Sequence, residues 1–376
     1  MRYEFRLAEL LGHTPDRRKR PGTIKAIVEY TGLDRHQVAS LLKNEAKYIP
    51  LEALSRLCDY LVEHGYASAD ELPGVLFSVR PEHFWGLLAR RRRLEICVGV
   101  RRSDSDDGPQ NAWVVASDAV LMGEVLNGVT TLGGTDKLAR SQQPSSREMP
   151  THPELLRQTL VWSPGINDAS EAIARAEKVY DGYTSSAGDK AMICLGSVKS
   201  NPVVDKIFSD TFAANPFETQ DTVAKASDRR CPFFLRYRDS DPHIPCASAG
   251  LRLSASEDAP EPGIYYEQAD GTWTFAGGQD AALVFYVYRE SLGRLEMVLS
   301  GFSGRATRLL ARTLSNRSEE FWPPVFQQNY LQIGAFIVQY DAPTDASEPD
   351  DILRTDEIGN PTIIPLPSEA IAKRIS

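Results

Sequence analysis

The sequence predicts a multidomain α/β protein, with an all-helical N-terminal unit followed by a larger body built around a mixed sheet. Three observations carry that prediction. At 376 residues the chain exceeds what one small core organises. Its apolar pattern keeps a helical period to about Val79, then turns at Leu94 to short strands alternating with helices. Its charge divides the same way: residues 1–102 hold 18 Lys and Arg against 13 Asp and Glu, and the remainder hold 24 against 38. The net charge of −9 is therefore a basic head on an acidic body, and only the head would attract a polyanion.

Hydrophobic residues at 42% and charged residues at 25% are ordinary for a globular chain in water. No apolar run reaches the length of about 18 residues that spans a bilayer. The opening Met1-Arg2-Tyr3-Glu4 lacks the apolar stretch of a secretory leader, so a cytoplasmic protein without a membrane partner is expected. Cys58, Cys97, Cys194, Cys231 and Cys246 are scattered, with no CxxC pair. They read as reduced, mostly buried thiols, and no structural zinc site is expected.

In chain order, a helix is expected over residues 2–12, then a polar turn over 13–22 carrying Arg17-Arg18-Lys19-Arg20. Helices follow over 23–31, 35–45 and 51–64, and Pro73-Gly74 closes the unit. Residues 81–93 read as a connecting helix ending in Arg90 to Arg93, a run expected to be solvated or to lie between domains. Strands are expected over 94–100 and 112–115, a helix over 117–127, a loop over 133–153 and a helix over 169–180. A buried-type strand over 191–195 precedes a helix over 202–212, and another strand covers 233–237. Asp270-Gly271 predicts a hairpin between 263–267 and 272–275, and Leu292-Gly293 one between 281–288 and 295–299. A helix over 306–314, a strand over 333–340 and an acidic, Pro-rich tail, extended or partly disordered, complete the chain. The strand–helix alternation is Rossmann-like, and the hairpins make its sheet mixed. The domains expected are 1–80, the connector 81–93, the α/β body 94–345 and the tail 346–376.

The head carries the sharpest local signal. Two helices that cross steeply need a residue of positive φ between them, and Gly32 supplies it. Leu33 points back to the core; Asp34 and Gln37 form a capping box that starts a new helix. Val38, Leu41 and Leu42 then share its inner face, leaving Arg35, His36, Gln37, Ser40, Lys43 and Asn44 outward, residue types that hydrogen-bond base edges and phosphates. Arg17, Arg18, Arg20 and Lys25 are the expected phosphate contacts beside them.

Residues 20–65 resemble the Cro/C1-type repressor helix-turn-helix family. The resemblance lies in Gly32, in Val38 and Leu41 six and nine places later, and in Tyr48-Ile49-Pro50-Leu51 leading into Leu54, Leu57 and Leu61. Val28 stands where the family usually has a small alanine. The resemblance implies binding to double-stranded DNA, and such heads pair across two half-sites, so a homodimer is expected. A purely structural, partner-binding bundle is the bland alternative; the polar, basic outer face of the third helix argues against it.

In the body, two segments share the order strand, glycine and hydroxyl loop, helix. Gly196, Ser197, Lys199 and Asn201 belong to the first, with Asn201 an expected N-cap ahead of Pro202; Gly301, Ser303, Gly304, Arg305 and Thr307 belong to the second. Loops of this kind aim backbone N–H groups at one point and suit a small anionic ligand, nucleotide-like in kind. Glycine also serves tight βα turns for geometry alone. The body resembles an uncharacterised sensor-like α/β module found behind bacterial DNA-binding heads. Asp118 reads as an N-cap or as a ribose-binding acid, and Trp162 and Phe321-Trp322-Pro323-Pro324 as core or pocket wall.

Six histidines show no HxxxH spacing, and Gly301-Phe302-Ser303-Gly304 is not GxSxG. No catalytic residue, metal ligand or cofactor is expected. The reading is a transcriptional regulator, repressor-like, whose body senses a small anion. The alternative is a DNA-directed nucleotide-processing enzyme of a defence or stress system, and the sequence favours the sensor over the enzyme.

Overall fold

A computed structural model describes residues 3–11, 23–43, 45–67, 69, 72, 76–79, 81–89, 91, 93–102, 112–132, 155–163, 169–186, 189–219, 223, 225–243, 246–252, 258–277, 280–328, 331–341 and 361–375. The chain divides into two compact units, residues 1–82 with 289–294, and residues 83–288 with 295–376.

In the first unit, β1 (Tyr3–Phe5) pairs antiparallel with β2 (Phe77–Val79), matching Tyr3 to Val79. Four helices follow β1: α1 (Leu7–Leu10), α2 (Thr23–Thr31), α3 (Arg35–Leu42) and α4 (Leu51–Glu63). Their apolar stripes meet in one core made by Leu7, Ile27, Leu33, Val38, Leu57 and Leu61. The helix expected over 2–12 is thus a strand and then a short helix. Phe5 packs edge-on against Phe77 across the ladder, a cross-strand contact 72 residues away that local periodicity does not reveal.

The second unit opens with α5 (Gly86–Ala89), β3 (Arg93–Arg102), β4 (Ala112–Val114) and α6 (Ala116–Asn127), which runs into a π-helical turn at Gly128–Leu132. Next come β5 (Leu155–Trp162), α7 (Ser170–Ser185), β6 (Lys190–Leu195) and α8 (Val203–Phe212). Four short strands follow, β7 (Phe233–Tyr237), β8 (Gly250–Arg252), β9 (Gly263–Glu267) and β10 (Trp273–Phe275), and form a separate sheet in the order β10-β9-β7-β8. The chain closes with β11 (Asp280–Arg289), β12 (Arg294–Gly301), α9 (Gly304–Arg317), β13 (Phe326–Gln328), β14 (Leu331–Tyr340), β15 (Thr362–Pro365) and α10 (Ser368–Ile375).

The main sheet runs β13-β14-β11-β12-β6-β3-β4, with β15 beside β14 and β5 beside β3. β5, β3 and β6 are parallel, whereas β4, β13 and β15 pair antiparallel, so the sheet is mixed as expected. Alternate residues of its central strands feed two cores. Ile193 and Leu195 join Leu121, Leu309 and Leu314 on one face; Met192 and Cys194 join Tyr183, Ile207 and Phe208 on the other. Burial on both faces explains why β6 reads as an unbroken apolar run.

Two expectations change, and one strand is new. Within the arginine run Arg91 is not solvated: it is 3% exposed and holds Asp189 at 2.6 Å and the Tyr288 hydroxyl at 3.1 Å, and the helix before it covers only Gly86–Ala89. Arg93 already belongs to β3. Of the tail expected to be extended or partly disordered, the described residues 361–375 are ordered: the extended β15 pairs with β14, and α10 is a helix tied down by Lys373 and Arg374 on the buried Glu267, at 2.9 and 2.7 Å. β5 was not anticipated; Arg157, Gln158 and Leu160 are exposed along it, so its polar, half-buried pattern hides the strand. The loop expected over 133–153 lies outside the described residues.

Asp205, fully buried on α8, accepts the Phe217 N–H and lies near Arg229. Burial raises its carboxyl to about 6, against the pull of these partners. The native state therefore holds the proton that the unfolded chain has released between the ordinary value of 3.8 and about 6, and the fold loses stability as pH climbs through that window. Asp205→Asn is expected to gain on the wild type by up to about 3 kcal/mol between pH 4 and pH 7. Denaturant unfolding at both pH values checks this, and an advantage equal at the two would contradict it.

Candidate nucleic-acid interface and ligand crevice

In the head, α2 ends because Thr31 turns its hydroxyl to the Ile27 carbonyl and Gly32 takes φ +74°, a conformation side chains resist. Leu33 is buried, and Asp34 stands extended as the cap of α3. Its carboxylate accepts the His36 and Gln37 N–H groups at 2.7 and 2.9 Å, and Gln37 Oε1 accepts the Asp34 N–H at 3.1 Å. Both halves of the capping box read from the sequence are present. Val38, Leu41 and Leu42 turn inward, which leaves Arg35, His36 and Lys43 exposed and Gln37 and Ser40 half-buried. Val28 packs at the edge of the same core, so the larger side chain is accommodated.

Gln37 has one constraint: its carbonyl oxygen already accepts the Asp34 N–H, so its amide N–H groups and one remaining lone pair are left for a base edge. Lys25 faces Glu29 at 3.6 Å in a highly exposed pair, an interaction weak enough to exchange for a phosphate. Arg17, Arg18, Arg20 and Asn44 lie outside the described residues. Tyr48 and Leu51, read only as the approach to α4, are 78% and 82% exposed.

In the body, the two glycine loops do come together. Gly196 follows β6 with φ +98° and donates its N–H to Leu299 on β12, so the two loops leave neighbouring strands at one edge of the sheet. Part of each loop serves the fold. Asn201 is wholly buried: its amide donates to the Cys97 and Leu195 carbonyls at 3.1 Å each, and its Oδ1 accepts the Val203 N–H at 3.2 Å. That side chain staples β3, β6 and α8 and has no capacity left for a ligand. Gly301 is required because a Cβ there would stand 2.3 Å from the Thr307 nitrogen. Thr307 is buried with its hydroxyl on the Ser303 carbonyl at 2.9 Å.

Lys199 is engaged as well. Its ammonium meets Asp241 at 2.6 Å and lies over the Tyr237 ring. Burial would raise the Asp241 carboxyl, but Lys199 and the His243 N–H outweigh it and hold the group below the ordinary carboxylate range. Ser303 caps α9 by accepting the Ala306 N–H at 3.1 Å and donates its own hydroxyl to Asp280. Burial raises Asp280 against the pull of that serine. Arg305 is half-buried, and its Nε has no hydrogen-bond partner; the fully buried Ser300 hydroxyl, one residue before Gly301, has none either.

The N-terminus of α6 completes this edge. A Cβ on Gly304 would stand 3.6 Å from Ser117 Oγ, and one on Gly196 would stand 3.6 Å from Asp118 Oδ2. Asp118 is not an N-cap: the cap of α6 is Val115, which makes no side-chain bond, and Asp118 lies within the first turn. Sequence reasoning missed Asp241, Asp280 and Tyr237 because they are far from the loops in sequence and meet them only in the fold: Asp280 opens β11 of the main sheet, Tyr237 ends β7 of the second sheet, and Asp241 lies just beyond β7. Phe321 is buried core and Trp322 packs beside it. Among the described residues no cluster of three metal-binding side chains forms, and no helix is long and apolar enough to cross a membrane.

Residues 17–62 match the family model of the Cro/C1-type HTH DNA-binding domain. No curated protein and no solved structure matches the chain.

The capping box makes a direct prediction. Asp34→Ala is expected to cost about 1 kcal/mol, felt first in α3. Amide exchange should accelerate over Arg35–Leu42 several-fold more than over Leu51–Glu63; equal acceleration of both helices would contradict a local capping role.

Proposed function

We propose that this chain is a sequence-specific transcriptional regulator, on the premise that residues 17–62 form a Cro/C1-type helix-turn-helix DNA-binding domain. The observation that carries the reading is α3 itself: anchored by Val38 and Leu41 below, it presents Arg35, His36 and Lys43 to solvent above. In a major groove, Arg35, His36, Gln37 and Ser40 meet base edges. Lys25, Lys43, Asn44, Arg17, Arg18 and Arg20 meet phosphates. One such head spans about half a helical turn, so two chains pair to reach two half-sites. The acidic body keeps DNA on the head.

The body, in this reading, is a sensor used in Rossmann-like fashion, with its ligand at the edge where β6 and β12 end. An anionic group is received by the first N–H groups of α9, by Arg305 and by the turn at Gly196, Ser197, Gly301 and Gly304. Ligand that favours one state of the paired chains changes their affinity for DNA by the ratio of its affinities for the two states.

Selection from random duplexes at low salt should yield a two-part site. Arg35→Ala should weaken binding about tenfold and relax preference at one base position, whereas Lys43→Ala should weaken all sequences alike and lower the salt slope by about one. Selection of no sequence, or binding indifferent to both changes, would remove α3 from the interface.

A further inference from the structure

We propose that Asp118 accepts a hydrogen bond from a hydroxyl group of the ligand, so that the body recognises a phosphorylated sugar or nucleotide and not an isolated anion. The proposal rests on the crevice reading given above and deepens it.

Asp118 is 5% exposed, yet its bonding is incomplete. Ser117 Oγ reaches Oδ1 at 3.4 Å, a long contact; Oδ2 lies beside the Gly196 turn, 3.6 Å from where a Cβ on that glycine would stand. A carboxylate in the first turn of a helix favours the helix dipole, but that role is served as well from the surface. Burial withdraws most of the carboxylate's water in return for one long donor contact, whereas buried polar oxygens are normally well paired. The raised carboxyl of Asp118, driven by burial against the pull of Ser117 and Arg101, has the same cause. A donor entering beside Gly196 completes the shell.

The complementary half lies next to it. Gly304, the first residue of α9, sits against Ser117, so the N–H groups that open a 14-residue helix adjoin the first turn of α6. Asp280 takes the Ser303 hydroxyl, lies near the Ala306 N–H and is acted on by the Arg305 charge, which leaves the N–H groups of Gly304 and Arg305 for an anion, with Arg305 Nε still without a hydrogen-bond partner. Lys199 is committed to Asp241 and is not the anion's partner. A ligand filling both halves carries an anionic group and a hydrogen-bond donor a few ångströms apart. Arg101 already acts on Asp118 by charge, so a neutral hydroxyl suits the second position better than an ammonium.

The test titrates the full chain, by calorimetry and thermal shift, with inorganic phosphate, ribose 5-phosphate, AMP and 2′,3′-dideoxy-AMP. Ribose 5-phosphate or AMP is expected to bind at least about tenfold more tightly than phosphate, and loss of the hydroxyls or Asp118→Asn should remove about that factor. Asp118→Asn removes a negative charge beside the anion's half and should leave phosphate bound at least as tightly, and Asp118→Ser serves if the first variant does not fold. If phosphate binds in an Arg305-dependent way and the sugar adds nothing, or if Asp118→Asn weakens phosphate and sugar phosphate equally, the hydroxyl role of Asp118 falls while the crevice stands. If none of the four stabilises the chain, both fall.

Discussion

The head depends on one reversal of the backbone, made where Gly32 adopts a positive φ and Asp34 closes the start of α3. Three requirements meet within three residues: a left-handed turn, a buried Leu33 that fixes the entry angle, and a side chain that satisfies the first N–H groups of the next helix. With those met, the 3.6-residue period decides which side chains of α3 face the core and which face water. Moving the cap by one residue would rotate the helix by about 100° and bring Arg35 and Lys43 round toward the core. The functional surface is therefore a consequence of how α3 begins.

A similar economy governs the edge of the parallel strands in the body. Asn201 spends every hydrogen-bonding group on β3, β6 and α8, and Gly301 exists so that α9 can approach β12 closely. These residues hold the edge in shape and do not compete for what enters it. Beside that edge Ser300 Oγ and Arg305 Nε lack hydrogen-bond partners, and Asp118 has a long contact with Ser117.

Much of the head was legible in the sequence because its determinants are local. Gly32, the Asp34–Gln37 box and the spacing of Val38, Leu41 and Leu42 act within a dozen residues, and each stands as read. Pairing of β1 with β2 was hidden, since it joins Tyr3 to Val79. In the body, β6 and the β11–β12 hairpin announced themselves through apolar runs and Gly293, whereas β5, with Arg157 and Gln158 exposed, did not. Charge was the poorest guide. Arg91 and Lys199 looked free in one dimension, but the chain supplies Asp189 and Asp241 from 98 and 42 residues away. Asp118 was read as an N-cap or a ribose-binding acid, and the cap is not borne out, because helix α6 starts at Ala116 without a side-chain cap.

The central claim, that α3 enters the duplex, is tested most directly by hydrogen–deuterium exchange of the full chain, alone and saturated with a selected duplex. Entry predicts new protection concentrated between Arg35 and Lys43, with a smaller effect at the start of α2. Unchanged exchange across α3, alongside protection elsewhere in a chain that demonstrably holds the DNA, would contradict it.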